Sequence, residues 1–121
     1  MSLVPKVYSA RGVHVLADLQ GADPIKLADS SFLQEQASIA ARLAGATILR
    51  SDVHAFGPGQ GVAGVVLLAE SHLTFHTWPE HGFAAIDAFM CGECKPDVAV
   101  AHLVEALGST KASIRTVNRG I

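Results

Sequence analysis

A serine, two histidines and two cysteines lie within 25 residues of one another, and these residue types can act as nucleophiles, bases and acids. The hydroxyl of Ser71 is followed by imidazoles at His72 and His76 and then by thiols at Cys91 and Cys94. A hydroxyl or thiol beside an imidazole allows nucleophilic or acid–base chemistry. This segment is therefore the first candidate for a reaction centre.

The segment that carries the two histidines has the alternation of a β-strand. Even-numbered residues from 72 to 78 share one face and odd-numbered ones the other, since strand side chains alternate with period two. Histidines four residues apart also share a helix face, as in zinc-binding HExxH helices, but the intervening Leu-Thr-Phe favours a strand. A histidine in a strand is commonly an ordinary hydrogen-bonded imidazole, so His72 and His76 alone do not establish a function.

The composition predicts one domain spanning residues 1–121. This length is enough for one hydrophobic core but not for two. Half of the residues are hydrophobic and 17% are charged, which excludes a disordered tail. The net charge is −2 and basic residues do not cluster, so no nucleic-acid partner is indicated. The longest apolar run, residues 62–69, is too short to cross a bilayer and no signal peptide is recognisable, so we expect a cytoplasmic protein without a membrane partner.

Cys91 and Cys94 form the single C-x-x-C motif of the chain. In a reducing compartment such a pair is a redox pair, half of a metal site, or one functional thiol beside an incidental one. A structural zinc site usually takes a second pair of ligands, and none is suitably placed, so we predict no metal site.

The rest of the hydrophobic pattern predicts two helices and five further strands. One helix should start at a capping box of Ser31 and Gln34 and stop at Gly45, and the other should run from Pro96 to about Gly108. We expect the additional strands at residues 12–19, 46–56, 62–69, 83–90 and 112–117. The strand at 62–69 is almost continuously apolar, which predicts burial of both its faces.

This order, β-α-β-β-β-β-α-β, predicts an α+β fold. The arrangement that fits it is a two-layer α/β sandwich with a mainly antiparallel sheet and both helices on one face of that sheet. The opposite face is then too apolar to meet water, so we expect a homodimer that forms through the sheet faces.

The sequences ESHLTFHTWPE and GFAAIDAFMCGE closely resemble the self-cleaving site of the small prokaryotic S-adenosylmethionine decarboxylases. The pattern of that family is ESH, a short apolar strand, HTWPE, G[YF]A and then D-x-[FY]-x-CG. The resemblance extends from about residue 12 to residue 92 and fades after Glu93. It implies a carboxy-lyase that acts on S-adenosylmethionine and supplies the aminopropyl donor for spermidine synthesis.

The resemblance also implies that the chain cuts itself between Glu70 and Ser71. The Ser71 hydroxyl attacks the Glu70 carbonyl carbon, the amide becomes an ester, and elimination leaves a pyruvoyl group made from Ser71. The ketone of this group forms a Schiff base with the substrate amine. His76 takes the family's position for the base in processing, and Cys91 takes that of the proton donor to the decarboxylated carbon. Cys94 has no counterpart, which favours an incidental thiol.

Three residues match the substrate-binding positions of the family. Phe56 takes the place of the aromatic ring that stacks on adenine, and Glu80 that of the acid that holds the ribose hydroxyls. Trp78 keeps the HTWPE pattern between them. The substrate implied is a small molecule.

One position departs from the family pattern. Ala63 stands where the family has a serine that assists self-cleavage by hydrogen bonding near the scissile carbonyl, and the preceding glycine-rich loop at residues 57–61 is one residue longer. Loss of one such donor typically costs about 10²–10³ in rate, so we expect slow cleavage unless a backbone N–H of this loop replaces the donor.

Three other readings stay open. The same chemistry could act on ornithine or arginine, with Glu80 binding the cationic tail. Ala63 also allows an uncleaved, non-catalytic homologue. A C-x-x-C redox or metal module would need Cys91 and Cys94 to act together and would leave Ser71 without a role.

Overall fold

A six-stranded sheet organises the molecule. The computed structural model describes residues 10–121, and every neighbouring pair of strands in it is antiparallel. In chain order the strands are β1 (Gly12–Gln20), β2 (Ile48–Ala55), β3 (Val62–Leu68), β4 (Ser71–Trp78), β5 (Phe83–Cys91) and β6 (Lys111–Arg119). The order across the sheet is β2-β3-β4-β5-β1-β6.

Two long helices cover one face of this sheet. The helices found in the described part of the chain are α1 (Pro24–Leu27), α2 (Ser30–Leu43) and α3 (Pro96–Ala106), with one 3-10 turn at Pro79–His81 between β4 and β5. The predicted α+β sandwich with two long helices on one face is therefore confirmed. The four-residue α1 was not predicted.

The second helix starts earlier than its predicted capping box. Asp29 is the N-cap, and its Oδ1 atom accepts a hydrogen bond from the Phe32 amide at 3.0 Å. The assignment of Ser31 and Gln34 as a capping box is thus wrong, because a carboxylate two residues before Ser31 already satisfies the free amide of the first turn. Gln34 instead donates to the Ser51 hydroxyl at 2.9 Å.

Alternation along β4 and β5 separates the core from a second face of the sheet. Leu73, Phe75 and Thr77 are buried under the helices, whereas His76 and Trp78 are exposed on the opposite side, as predicted. We call that opposite side the open face. The catalytic candidates of β4 therefore lie on a surface that the helices of the same chain do not cover.

Burial of both faces of β3 was predicted wrongly. Val62 and Val66 are buried, but Val65 and Leu67 on the open face remain 40% and 38% exposed. The apolar pattern of β3 reflects two apolar faces, of which the described chain covers only one. Among residues 10–121, no helix combines the length and apolar character needed to span a membrane.

Candidate active site

Ser71, the first residue of β4, has a strained backbone. Its φ is 145°, and it is the only non-glycine residue between positions 10 and 121 with a positive φ. That region of conformational space disfavours a residue with a Cβ atom, so surrounding contacts must hold it there. The strain lies at the bond that the family pattern marks for cleavage.

Hydrogen bonds hold both the side chain and the main-chain carbonyl group of Glu70. Its side chain is 5% exposed and accepts a hydrogen bond from the Thr47 amide at 2.8 Å. Its main-chain carbonyl oxygen accepts a hydrogen bond from the Cys91 amide at 3.1 Å. A backbone N–H at this distance is placed to stabilise negative charge on the carbonyl oxygen. The donor comes from the end of β5, not from the glycine-rich loop.

On the open face, Asp87 joins two histidines from the neighbouring strands. Its Oδ2 atom lies 2.6 Å from His14 Nε2 and 2.9 Å from His72 Nε2. The Thr74 hydroxyl donates a hydrogen bond to its other oxygen. Both imidazoles reach one carboxylate because β5, which carries Asp87, lies between β1 and β4.

These hydrogen bonds keep Asp87 ionised. Burial raises the pKa of the carboxyl group, but the hydrogen bonds from Thr74, His14 and His72 and the charge of His72 outweigh this effect. The net result is a pKa below the ordinary value of 3.8. At neutral pH the Asp87 carboxylate therefore acts only as an acceptor.

Arg119 fixes the proton on His14. Its Nη1 atom lies 3.1 Å from His14 Nδ1, and a guanidinium has donors only. Nδ1 therefore accepts, and Nε2 carries the hydrogen that is donated to Asp87. The Phe89 ring packs beside both imidazoles, 5.3 Å from His14 and 6.0 Å from His72 between ring centroids.

The fourth ring nitrogen of the two histidines faces the hydroxyl of Ser71. His72 Nδ1 lies 3.5 Å from Ser71 Oγ. The cluster also has the spacing of a metal site, since one ligand atom from each of His14, His72 and Asp87 lies within 4.8 Å of the others. The adjacent Arg119 guanidinium places a fixed positive charge beside this position, which disfavours a cation.

The predicted substrate-binding residues lie at the other end of β4. A cavity of about 330 Å³ opens there, and it brings Phe56, Trp78 and Glu80 together with His76. The Phe56 ring is 64% exposed, and the His76 and Trp78 rings stack with centroids 6.2 Å apart. A cavity lined by both aromatic rings and polar side chains, with one carboxylate, is suited to a flat, polar ligand.

The sequence-predicted site residues thus form two groups in one chain. Ser71 begins β4 and Cys91, the last residue of β5, lies beside it, whereas His76 lies five residues further along β4, opposite Ala63 of β3. At about 3.3 Å per residue this separation is about 16 Å. Within one chain, Ala63 therefore does not lie beside the scissile bond, contrary to what the sequence suggested.

The two cysteines occupy different environments. Cys91 is half-buried on the same face of β5 as Asp87, and neither cysteine is in a disulfide bond. The Cys94 thiol donates to the Gly45 carbonyl oxygen at 3.5 Å. The C-x-x-C motif therefore does not form a closed pair of thiols.

Sequence reasoning did not assign roles to Asp87 and His14. The predicted hairpin was the sequence feature that could have placed Asp87 in the site. A turn at residues 79–82 pairs Trp78 with Phe83 and hence Thr74 with Asp87. No sequence feature predicted that His14 lies near His72, because this contact depends on β1 pairing with the edge of β5 that faces away from β4.

The sequence profile of S-adenosylmethionine decarboxylase matches residues 13–120. The S-adenosylmethionine decarboxylase proenzyme of Thermodesulfovibrio yellowstonii is 45% identical over 113 residues, which cover 93% of this chain and 83% of that protein. S-adenosylmethionine decarboxylase proenzyme 2 of Halalkalibacterium halodurans is 44% identical over 111 residues, covering 91% of this chain and 87% of that protein.

A solved structure has the same fold. The crystal structure of the adenosylmethionine decarboxylase from Aquifex aeolicus superposes with a TM-score of 0.84 at 36% sequence identity, and the match covers 93% of each chain. The six-stranded sheet and the two long helices are therefore shared with a protein of that name.

Proposed function

The chain belongs to the S-adenosylmethionine decarboxylase family, and we propose that it is a proenzyme that cuts itself between Glu70 and Ser71 and then decarboxylates S-adenosylmethionine. The product is the aminopropyl donor for spermidine synthesis. The observation that carries the proposal is the positive φ of Ser71, which strains the peptide unit that follows Glu70.

Self-cleavage requires an oxygen nucleophile, a stabilised oxyanion and a good geometry. The Ser71 hydroxyl adds to the Glu70 carbonyl carbon, and the Cys91 amide stabilises the oxyanion. The C–N bond then breaks and leaves an ester between Glu70 and the Ser71 oxygen. Loss of the Ser71 α-hydrogen expels the Glu70 carboxylate, and water replaces the resulting imine nitrogen, which leaves as ammonia.

The new N-terminus is a pyruvoyl group, whose ketone supplies an electron sink for decarboxylation. The surroundings of Ser71 fit such a group, since its side chain faces His72 at 3.5 Å and the half-buried Cys91 follows on the adjoining strand. Glu70 stays anchored after cleavage through its buried side chain and the Thr47 amide. Among residues 10–121, the segments before and after the cut thus remain parts of one domain.

The proposal requires two copies of the chain. A base for the α-hydrogen must approach Ser71 closely, and His76 of the same chain is about 16 Å away. The open face carries partly exposed Val65, Leu67 and Trp78 and is suited to pack on a second copy. A homodimer formed through these faces brings His76 of one protomer toward Ser71 of its partner.

The proton donor and the substrate-binding residues lie at opposite ends of β4. Cys91 protonates the decarboxylated carbon, since its thiol lies at the Ser71 end on the open face. Phe56, Trp78 and Glu80 bind the adenosine part of the substrate in the cavity of about 330 Å³. A thiol that acts in catalysis, such as Cys91, has to stay reduced, so a cytoplasmic location is part of the proposal.

Intact-mass spectrometry of the purified protein tests the proposal. We expect two fragments, residues 1–70 and residues 71–121, with the second lighter than a fragment that begins with serine. The matched control is Ser71→Ala, which should stay whole. A wild-type chain that also stays whole after long incubation would support the non-catalytic homologue instead.

A further inference from the structure

We propose that His72 is the base that takes the proton of the Ser71 hydroxyl at the first step of self-cleavage, and that Asp87 positions His72 for this task. This inference rests on the proposed self-cleavage and concerns the step before the one given to His76. His72 touches the reacting oxygen and is a catalytic residue in this sense, whereas Asp87 acts through it.

The contact between Ser71 and His72 is unusual for neighbours in a strand. Successive side chains of a regular strand point to opposite faces, so their polar ends do not meet. Here Ser71 Oγ lies 3.5 Å from His72 Nδ1, and the positive φ of Ser71 takes this residue out of the regular pleat. The strained backbone thus places the nucleophile next to an imidazole of its own chain.

The hydrogen bond to Asp87 leaves the correct nitrogen available. His72 Nε2 lies 2.9 Å from Asp87 Oδ2, and an ionised carboxylate can only accept, so Nε2 carries the hydrogen. In a neutral imidazole the other nitrogen, Nδ1, then has a free lone pair. That atom is the one that faces Ser71 Oγ. Carboxylate, imidazole and hydroxyl thus have the order of a catalytic triad.

The step balances without another reactant. His72 Nδ1 takes the hydroxyl proton as Ser71 Oγ bonds to the Glu70 carbonyl carbon, and the oxyanion is held by the Cys91 amide. The imidazolium then returns the proton to the Ser71 nitrogen as the C–N bond breaks. Asp87 stabilises the imidazolium in between, and the products are an ester and a free amine.

His14 provides an internal control. It contacts the same Asp87 oxygen at 2.6 Å, but its second nitrogen faces Arg119 and not Ser71. A role in holding the cluster together belongs to both histidines, whereas a role as base belongs to His72 alone. Glutamine at either position keeps a donor for Asp87 and cannot accept the serine proton in catalysis.

The test isolates ester formation from elimination by placing each change in a His76→Ala chain. Hydroxylamine attacks the ester and releases residues 1–70 as a hydroxamate and a second fragment that begins with an unmodified serine. We expect this cleavage in His76→Ala alone and in His76→Ala with His14→Gln. Adding His72→Gln should slow it by about 10²–10⁴, the usual contribution of a general base. Asp87→Asn should slow it less.

The outcomes separate the two proposals. If hydroxylamine never cuts the His76→Ala chain and the wild type stays whole, the proposed self-cleavage itself fails. If the His72→Gln chain is cut as fast as its parent, or if His14→Gln is equally slow, the assignment of His72 is overturned while self-cleavage stands.

A second variant guards against misfolding. His72→Ala removes the ring from a position whose side chain is 33% exposed, so free imidazole can reach it from solvent. Added imidazole should restore hydroxylamine cleavage several-fold if only a base is missing. A folded His72→Ala chain, checked by circular dichroism, that gains nothing from imidazole would assign the loss to structure and overturn the proposal.

Discussion

His76 lies opposite Ala63 in the sheet, five residues along β4 from Ser71. The separation of about 16 Å exceeds any hydrogen-bond distance several times over. If both residues act on one peptide bond, they must come from different copies of the chain.

Complementation between inactive chains should reveal the shared site. Ser71→Ala and His76→Ala should each stay uncleaved alone. When the two are co-expressed with different tags, the His76→Ala chain should be cleaved, because its intact Ser71 meets the intact His76 of the partner. Random pairing limits this to roughly half of those chains. Mass spectrometry of the tagged fragments gives the result, and an uncleaved His76→Ala chain in purified heterodimers would contradict a shared site.

Ala63→Ser should accelerate self-cleavage. A hydroxyl at this position would stand beside His76 and, through the dimer, near the partner's scissile bond. One added donor is typically worth about 10²–10³ in rate. The matched control is Ala85→Ser, since Ala85 flanks His76 from β5. Timed gel analysis of freshly translated protein measures both rates, and an unchanged rate in Ala63→Ser would refute this role for position 63.

The sequence was sufficient for most of the fold because local signals agreed with the tertiary structure. Alternation in β1 and β4 and the turn at Pro79–His81 set the strands and the hairpin. The errors occurred where a signal was ambiguous. Asp29 and Ser31 are both good caps, and only the packing of α2 selects between them. The apolar β3 could not reveal whether its second face was covered.

The site was harder to predict, since its residues meet through sheet order. The family pattern named Ser71, His76 and Cys91 as candidates without giving their positions in space, and the strand separates Ser71 from His76 by about 16 Å. The hydrogen bond from the Cys91 amide to the Glu70 carbonyl depends on the pairing of β4 and β5. No motif encodes such a main-chain donor.

Asp87 should make stability depend on pH. Its pKa in the folded chain lies below the ordinary 3.8, so its stabilisation is complete above about that pH and is lost as pH falls through the folded value. In a Ser71→Ala background, Asp87→Asn should lower the free energy of unfolding at pH 7 by about 1–3 kcal/mol. Urea unfolding at pH 7 and pH 3 should show this deficit shrinking in acid, with Asp18→Asn at an exposed position measured as the control. A constant deficit would contradict the ionised Asp87.

Cys91→Ala should separate cleavage from turnover. The oxyanion donor to Glu70 is the main-chain amide of residue 91, which alanine retains, so self-cleavage should continue. Decarboxylation should fall by about 10²–10⁴ because the proton donor is missing. Cys94→Ala is the control and should keep both activities, since its thiol bonds to Gly45. Equal losses at both cysteines, with bound metal, would instead support a C-x-x-C module.

Phe56→Ala tests the identity of the substrate. The exposed ring borders the cavity that also contains Trp78 and Glu80, where it can stack on adenine. Stacking is worth about 0.5–1.5 kcal/mol beyond burial, so the KM for S-adenosylmethionine should rise several-fold while kcat changes little. Leu49→Ala near the start of β2 is the control, since Leu49 is 60% exposed and lies outside the cavity. Carbon dioxide release from ornithine or arginine but not from S-adenosylmethionine, with Phe56→Ala neutral, would transfer the same chemistry to a basic amino acid whose cationic tail pairs with Glu80.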